Sequence, residues 1–244
     1  MDGGKKLISL NRNQIKYIVI VAMLIDHIAW AFVPTASILG QIMHFIGRLT
    51  GPTMAYFVVE GYLHTRDVNK YAMRLGIFAL ISWLPFTFFE YGTLPIVIDD
   101  GRPLFIPAFG VIYTLFLSLL AVWFWDKADR PKWQKILVIA GLCVLSIVGD
   151  WPIFDVLCAL FFFIYKDDKM KKWQAFSLIM LGMCVGSIVS GWEYLFNFGV
   201  FMIPPMIELC YNSEGGSRKP IHKWFFYIFY PAHLLVLAVL KMVL

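Results

Sequence analysis

The stretch IKYIVIVAMLIDHIAWAF (residues 15–32) is the first long apolar run of the chain, and it contains a carboxylate beside an imidazole, Asp26 and His27. A run of this length is typical of a helix that spans the hydrocarbon core of a bilayer, which needs roughly 20 residues. Insertion scales give a charged residue at the centre of such a span a cost of roughly 2.5 to 3.5 kcal/mol. Residues that are so costly to bury indicate a functional site.

Lys16 lies on the same side of this helix as His27. The two are separated by eleven positions, which at about 100° per residue returns to within about 20° of the same face, about 16 Å along the axis. The first helix therefore carries a basic side chain and an imidazole on one stripe.

The composition is that of an integral membrane protein. Hydrophobic residues make up 60% of the 244 residues and charged residues only 15%, whereas a soluble domain has about 45–50% apolar and about 25% charged residues. We predict one domain over residues 1–244, an all-α polytopic helix bundle surrounded by lipid. The net charge of +5 does not indicate nucleic-acid binding, because the basic residues fall mostly in short loops, which fits membrane topology and anionic lipid better.

The cysteines and the N-terminal segment point to no metal and no cleaved leader. The cysteines lie in or beside apolar runs without metal-type spacing, so we interpret them as buried thiols and predict no metal site. A signal peptide is the alternative for the first apolar run, but its length, its Asp26-His27 pair and the further spans after it favour an uncleaved helix. The cysteines are Cys143, Cys158, Cys184 and Cys210.

Nine apolar segments have lengths near that of a membrane span. The fifth and sixth are short and joined by a tight turn at Gly149-Asp150-Trp151-Pro152, so a re-entrant pair, leaving seven full spans, is the alternative. The predicted spans are residues 15–33, 39–63, 71–90, 106–126, 133–149, 151–165, 173–190, 192–210 and 223–241.

Basic connections alternate with neutral or acidic ones. Cytoplasmic loops carry an excess of Lys and Arg, so the alternation predicts a cytoplasmic N-terminus, an external C-terminus and a location in the inner (cytoplasmic) membrane, and it favours nine spans. The neutral or acidic loops are 34–38, 91–105 with Asp99 and Asp100, 150 and 190–192. The basic positions include Lys5, Lys6, Arg12 and Lys16, then Arg66 and Lys70, Lys127 to Lys135, Lys166 to Lys172, and Arg218, Lys219 and Lys223.

This topology places several polar residues at one depth. His27 lies about 18 Å from the inner edge, and Arg48 and His233 lie about 15 Å into their spans. With Asp26 they form a polar layer near the midplane. An Asp26–Arg48 ion pair or a histidine in an interhelical hydrogen bond is the structural explanation for each alone. The combination of an acid, two imidazoles and a guanidinium favours a reaction centre or a transport site.

The helical phase suggests how this layer is arranged. Adjacent residues on a helix point about 100° apart, so Asp26 can pair with Arg48 instead of His27. His44 lies one turn from Arg48 on the same side, nearer the outside. Pro52, one turn beyond Arg48, is expected either to kink the second span toward the site or to serve packing alone.

The cytoplasmic edge is predicted to receive a phosphate-bearing donor. Lys16, Arg74 and Lys223 lie there, with Glu60 beside Lys16, although each cation alone is better explained as an interfacial anchor. The separation of about 16 Å between Lys16 and His27 approximates the reach of a pantetheine arm. Acyl-CoA bound from the inside would then present its thioester to His27, an imidazole able to act as general base.

Four segments resemble the TraX family, whose founding member is implicated in N-terminal acetylation of conjugative pilin. The last segment is the most specific, through its Tyr-Asn turn and its FYPAHL end. Where the family shows an Asp-Tyr-Gly turn, this chain has Asp150-Trp151-Pro152, with Asp155 near a further family glycine. The segments are IKYIVIVAMLIDHI (15–28), GRLTGPTMAYFVVEGYLHT (47–65), KYAMRLGIFALISWLPF (70–86) and LCYNSEGGSRKPIHKWFFYIFYPAHLLVL (209–237).

The first helix also resembles the larger group of transmembrane acyltransferases. That group has a basic residue, ten intervening residues and a histidine on its first span, which Lys16 and His27 match, and YFVVEGYLHT resembles its second motif. Together the resemblances imply acyl-CoA as donor. The matched positions include Asp26, His27, Arg48 and His233 in the polar layer, and Glu60, Tyr71, Arg74 and Lys223 on the donor side with Lys16.

We therefore expect an acyltransferase that moves an acyl group, acetyl foremost, from cytoplasmic acyl-CoA to a glycan, lipid or peptide acceptor in the membrane or outside it. His27 is expected to be the general base, which Asp26 and Arg48 orient, unless they stabilise the oxyanion. His233 is a second acid, base or acceptor ligand. Lys16 and Arg74, with Lys223 as a third, would hold the donor's phosphates.

Two other functions are compatible with the same residues. A proton-coupled transporter would use the buried ionisable groups as a relay, but the sequence shows no pseudo-symmetric halves with paired broken helices. A non-catalytic assembly factor for a surface structure would need the polar layer only for packing.

Overall fold

The computed structural model of the protein describes residues 8–99, 102–217 and 219–244, and the predicted all-α class is confirmed. Lys5, Lys6, Asp100 and Arg218, which contribute to the charge pattern, lie outside these residues. The helices are α1 (Arg12–Phe32), α2 (Ile38–Gly47), α3 (Thr50–His64), α4 (Val68–Tyr91), α5 (Val111–Lys127), α6 (Lys132–Leu145), α7 (Phe154–Ile164), α8 (Lys169–Ser190), α9 (Ile203–Cys210) and α10 (Pro220–Val243).

Four of these helices, α1, α4, α8 and α10, are long and apolar enough to cross a membrane by length and composition, among the residues that the structure describes. They correspond to the first, third, seventh and ninth of the predicted spans, and α1 ends at Phe32, one residue before the predicted end of the first span. The total of nine spans and the cytoplasmic N-terminus stay predictions.

The predicted second span, 39–63, is wrong as one continuous helix. The chain forms α2 and α3, which are separated at Arg48 and Leu49. The Leu49 N–H donates to the Ile46 carbonyl at 3.2 Å, a tighter pattern that ends the helix. Pro52 has no N–H to donate to the Arg48 carbonyl, so helical hydrogen bonding cannot run through this point. The expected kink at Pro52 is therefore a break just before it.

The predicted eighth span, 192–210, is also wrong as one α-helix. Gly191 has φ of 149°, and the chain then forms a 3₁₀ segment over Trp192–Met202 before α9 begins at Ile203. Pro204 and Pro205 lie in the first turn of α9. Proline is tolerated there because the first N–H groups of a helix have no helical partner, but it cannot extend a helix from upstream.

The middle spans are shorter than predicted, because part of each forms other structure. The segment before α5 pairs with the turn after α6: the Phe109 N–H donates to the Val148 carbonyl at 2.8 Å, and the Asp150 N–H donates to the Phe109 carbonyl at 2.8 Å. A short 3₁₀ turn, Ser146–Val148, ends α6. The predicted loop 91–105 contains an antiparallel hairpin of β1 (Ile96–Asp99) and β2 (Arg102–Phe105), with Ile96 opposite Phe105.

The described residues form two compact units. The first contains the chain up to Thr53 and Met180–Ile228; the second contains Met54–Ile179 and Phe229–Leu244. In the first, α1 packs against α2 and α2 against the 3₁₀ segment 192–202; in the second, α5 packs against α4 and α7. The second unit has a core of apolar side chains from α5, α6 and α7. The single domain over 1–244 stays a prediction.

Candidate functional site

The carboxylate of Asp26 is the centre of a buried polar cluster in the first unit. His44 Nδ1 lies 2.7 Å from Asp26 Oδ1, and Arg48 Nη2 donates to Asp26 Oδ2 at 2.6 Å. The Asp26 side chain is 10% exposed, that of His44 0% and that of Arg48 14%. Asp26 and Arg48 therefore form the ion pair that the sequence analysis considered possible. We call Asp26, His44, Arg48 and Asn197 the Asp26 cluster.

A glycine allows α1 and α2 to approach each other at this point. A Cβ added at Gly47 would overlap the Cβ and carboxyl atoms of Asp26. Asp26 also continues the buried stripe of α1 that includes Ile15, Val19 and Met23, so apolar packing of α1 on α2 brings the carboxylate to α2. His44 of α2 and Arg48, the residue that directly follows α2, then meet the carboxylate from positions one turn apart.

The 3₁₀ segment 192–202 forms the second wall of the cluster. With three residues per turn, Glu193, Phe196 and Gly199 align on one face. That face lies on α2: Gln41 Nε2 donates to the Glu193 carbonyl at 2.7 Å, and a Cβ added at Gly199 would overlap the Phe45 carbonyl. An α-helix over these residues would not keep the three positions in line.

Aromatic rings enclose the cationic side of the cluster. The His44 ring centroid lies 4.3 Å from that of Trp30 and 4.8 Å from that of Phe196, and Arg48 Cζ lies 5.1 Å from the Phe196 centroid. Asn197 accepts a long hydrogen bond from Arg48 at 3.5 Å. Because apolar surroundings lower the local dielectric, the charges here interact more strongly than they would in water.

His44 has one engaged and one unengaged nitrogen. With Nδ1 donating to the carboxylate, the neutral ring carries its lone pair on Nε2. That Nε2 is buried and has no hydrogen-bond partner among the described residues. A buried polar atom without a partner is uncommon and calls for a functional or structural reason.

His27 borders the cluster and has a defined tautomer. Its Nδ1 lies 2.9 Å from the Met23 carbonyl oxygen, which can only accept, so Nδ1 carries the proton and Nε2 the lone pair in the neutral ring. The side chain is buried, and the charges of Asp26, Arg48 and His44 all act on it. His27 is therefore a buried imidazole directly beside the Asp26 cluster.

His233, the fourth predicted member of the polar layer, lies in the second unit. Its Nδ1 donates to the Phe229 carbonyl at 2.9 Å, and its ring stacks on Phe229 with a centroid distance of 5.0 Å. It has the same tautomer as His27 and is 6% exposed. A common layer with Asp26 stays a prediction.

On the donor side, the structure brings Lys16 to the start of α10, where Lys223 lies. Lys16 Nζ is 5.3 Å from the Phe226 ring centroid, and the neighbouring Tyr17 hydroxyl is 2.8 Å from His222 Nδ1. Lys223 Nζ lies 4.9 Å from the Trp224 ring. These two predicted donor-binding residues thus lie on packed helices of the first unit.

The other predicted donor-binding residues belong to the second unit. Arg74 Cζ lies 5.8 Å from the Tyr71 ring centroid, and a Cβ added at Gly61 would lie 3.0 Å from the Tyr71 hydroxyl. Arg74 Nε is buried and has no hydrogen-bond partner among the described residues. The Glu60 carbonyl is 2.8 Å from His64 Nδ1. A shared site with Lys16 stays a prediction.

Sequence reasoning missed two members of the Asp26 cluster. It placed His44 nearer the outside than Arg48, but both reach one carboxylate, because the long Arg48 side chain extends back toward the N-terminus of α2. The spacing of four residues was the available signal. Asn197 had none, because its segment was predicted as an ordinary span. Among the described residues, no group of three or more His, Cys, Asp or Glu is placed to hold a metal ion.

Comparison with known proteins identifies the family and a relative of similar length. The TraX protein family matches residues 11–241. A protein of Dichelobacter nodosus named "Probable fimbrial assembly protein FimC, serogroup H1" is 31% identical over 239 residues, which cover 95% of this chain and 96% of that protein. No solved structure matches the chain.

Proposed function

Because this chain belongs to the TraX family, we propose that it is a membrane-embedded acyltransferase that moves an acetyl group from cytoplasmic acetyl-CoA to an acceptor in the membrane or on its outer side. One observation carries the proposal: a carboxylate buried between the imidazole of His44 and the guanidinium of Arg48, directly next in the helix to a second buried imidazole, His27. This arrangement supplies a general base and the charge that stabilises its protonated form.

His27 is the proposed base. Its Nε2 accepts the proton of the acceptor's hydroxyl or amine while the acceptor's oxygen or nitrogen forms a bond to the thioester carbonyl carbon. The C–S bond then breaks, and the coenzyme A thiolate takes the proton that His27 has held. Asp26 stabilises the imidazolium of His27 through its charge, and His44 and Arg48 hold Asp26 in place by occupying both carboxylate oxygens.

The remaining predicted residues keep their proposed roles. His233 is a second proton donor or a ligand of the acceptor, with its Nε2 unprotonated in the neutral ring. Lys16 and Lys223 hold donor phosphates at the packed ends of α1 and α10. Arg74 offers a buried Nε to an anion beside Tyr71. Glu60 is the neighbour of Gly61, against which the Tyr71 ring packs.

A second candidate function is support of fimbrial assembly without catalysis. The relative's name, a probable fimbrial assembly protein, favours it. The two functions are compatible if acylation of a surface subunit is a step in assembly. They differ in what the Asp26 cluster is for, because an assembly factor requires it only for packing.

The experiment compares cells that contain the gene, lack it, or express the His27→Gln variant. Lipids, glycans and surface peptides are extracted and compared by mass spectrometry. The product is a molecule that carries an acetyl group in cells with the gene and lacks that group in cells without it. We expect the product to be absent from the deletion and from the variant, with the variant protein present in the membrane at normal amounts. A variant that restores the product, or fimbriae lost without any lost acyl mass, would favour the assembly factor.

A further inference from the structure

The loop over residues 211–217, with the sequence YNSEGGS, is held against the start of α1. The Leu10 N–H donates to the Cys210 carbonyl at 2.8 Å, the Asn212 N–H to the Leu10 carbonyl at 2.9 Å, and the Arg12 N–H to the Glu214 carbonyl at 2.8 Å. These main-chain bonds fix the loop beside the first turn of α1. The proposed reaction gives this loop no role.

Two glycines in the loop allow close approach of α1. Gly216 has φ of 75°, and a Cβ there would lie 2.5 Å from Asn11 Oδ1. A Cβ at Gly215 would lie 3.1 Å from Arg12 Nη2. The guanidinium of Arg12 therefore lies along the backbone of the loop, in a position that larger residues would obstruct.

The loop presents backbone N–H groups that have no hydrogen-bond partner among the described residues. No described residue accepts a hydrogen bond from the N–H of Gly215, Gly216 or Ser217. Successive free N–H groups next to a left-handed residue form a concavity that binds anions. Arg12 forms no ion pair with a described carboxylate, while the Glu214 carboxylate is engaged by Asn212 Nδ2 at 3.1 Å.

Further positive charge surrounds the loop. Lys16 lies one turn from Arg12 on α1. Lys219 and Lys223 are exposed at the start of α10, whose residue Phe226 lies under Lys16. Like charges one turn apart repel each other, and an anion bound among them would relieve that repulsion.

We propose that the 211–217 loop and Arg12 bind the phosphates of the nucleotide part of the acyl-CoA donor. This inference rests on the proposed function and deepens it, because it assigns the donor's nucleotide to a loop and an arginine outside the polar layer. Guanidinium and free N–H groups are the donors that phosphate oxygens accept most strongly. Lys16 would then lie between the nucleotide and His27. His27 lies about 16 Å from Lys16 along the axis of α1.

The test measures ligand binding to the purified full-length protein in nanodiscs of neutral lipid. The probes are coenzyme A, adenosine 3′,5′-bisphosphate and inorganic phosphate, each titrated by calorimetry. We expect Arg12→Ala to raise the Kd of coenzyme A and of the bisphosphate by on the order of 10-fold to 100-fold, the usual weight of a charge-assisted hydrogen bond. Arg12→Lys should lie between, because it keeps the charge but not the planar fork.

Arg130→Ala is the matched control, since it removes the same charge from an exposed position of another predicted cytoplasmic segment. It should leave both Kd values unchanged. Equal binding of coenzyme A to wild type and Arg12→Ala would overturn the loop proposal and leave the proposed function standing. Arg12-dependent binding of the bisphosphate without any binding of coenzyme A would overturn both the loop proposal and the acyl-CoA donor of the proposed function, and would leave a site for another nucleotide.

Anionic lipid is the other source of phosphate at a membrane surface. Nanodiscs that contain phosphatidylglycerol therefore form a further arm. Arg12-dependent stabilisation by phosphatidylglycerol, with no binding of either nucleotide probe, would overturn the proposal and assign the loop to lipid. Binding of inorganic phosphate as tight as that of the bisphosphate would also overturn it, because a nucleotide site should distinguish them.

Discussion

The histidines of the predicted polar layer and of the Asp26 cluster have different kinds of partner for Nδ1. His27 and His233 each place Nδ1 against the carbonyl four residues earlier in their own helix, which fixes the proton on Nδ1. His44 alone places Nδ1 against a carboxylate. In the reaction that we propose, these contacts correspond to different roles: His27 is the base, and His44 holds the carboxylate of Asp26 in place.

The first prediction separates these two imidazoles. His27→Gln should lower the rate of acetyl transfer by on the order of 100-fold to 10,000-fold, the usual contribution of a general base. His44→Gln should retain a larger share of the rate, because it disturbs the position of Asp26 without removing the base. Initial rates with labelled acetyl-CoA measure both. A larger loss for His44→Gln than for His27→Gln would make His44 the base.

The second prediction concerns the charge balance at Asp26. Asp26→Asn removes the partner of a largely buried guanidinium, and breaking a buried ion pair from one side costs about 3–5 kcal/mol. The free energy of unfolding in a lipid nanodisc should fall by about that amount. Asp129→Asn, at an exposed position, should change it by no more than about 0.5 kcal/mol. Equal changes in the free energy of unfolding for the two variants would show that the charge of Asp26 does not stabilise the protein.

At the level of the elements, interrupted helices build the site. Had 39–63 been one helix, Arg48 would lie in its interior; instead it ends α2, and α3 begins at Thr50. The 3₁₀ segment 192–202 aligns Phe196 and Gly199 along α2, which no α-helix of the same sequence would do. Breaks at glycine and proline therefore position the charged side chains.

The third prediction tests the approach of α1 and α2. Gly47→Ala should destabilise the protein by about 1–3 kcal/mol, because the added methyl group overlaps Asp26 and overpacks the contact. Acetyl transfer should fall with it, since the carboxylate must move. Gly141→Ala, in α6, meets no atom within 4 Å and should be neutral or stabilising, as alanine favours a helix by up to about 1 kcal/mol.

The fourth prediction concerns the start of α5 in the second unit. The Val111 N–H donates to the Tyr230 hydroxyl at 3.0 Å, and Gly110 leaves room for that hydroxyl. Tyr230→Phe leaves a buried N–H without a partner, which costs about 1–3 kcal/mol. Thermal unfolding should report that loss, whereas Tyr91→Phe, at an exposed side chain, should unfold like wild type. An unchanged unfolding temperature for Tyr230→Phe would contradict a stabilising hydrogen bond from the Val111 N–H to the Tyr230 hydroxyl.

For the whole molecule, the alternation of basic and non-basic connections gives a testable orientation. A cysteine placed at Ser217 should be protected from an impermeant thiol reagent in intact cells, and one placed at Leu104 in β2 should react. The native cysteines are first replaced by alanine so that only the new thiol is read. The opposite pattern would reverse the predicted topology, and with it the side from which acyl-CoA enters.

The sequence by itself predicted that the protein is an all-α membrane protein. It also predicted Arg48 as an ion-pair partner of the buried Asp26. Apolar runs with few charges indicate membrane helices, because the hydrocarbon core admits little else. Helical phase also left Asp26 free of its neighbour and open to Arg48, since adjacent side chains point apart on any helix. These conclusions follow from local geometry and transfer free energy, which a sequence carries in full.

Only the tertiary structure decided which further residues join Asp26 and Arg48 in the Asp26 cluster. His44 meets Asp26 because Gly47 lets the two helices approach each other, and Asn197 lies on the 3₁₀ segment that packs against α2. The loop at 211–217 is held against the start of α1 by main-chain hydrogen bonds with Leu10 and Arg12. Such features depend on residues far apart in the chain, and the periodicity of one segment contains no information on which other segment will pack against it.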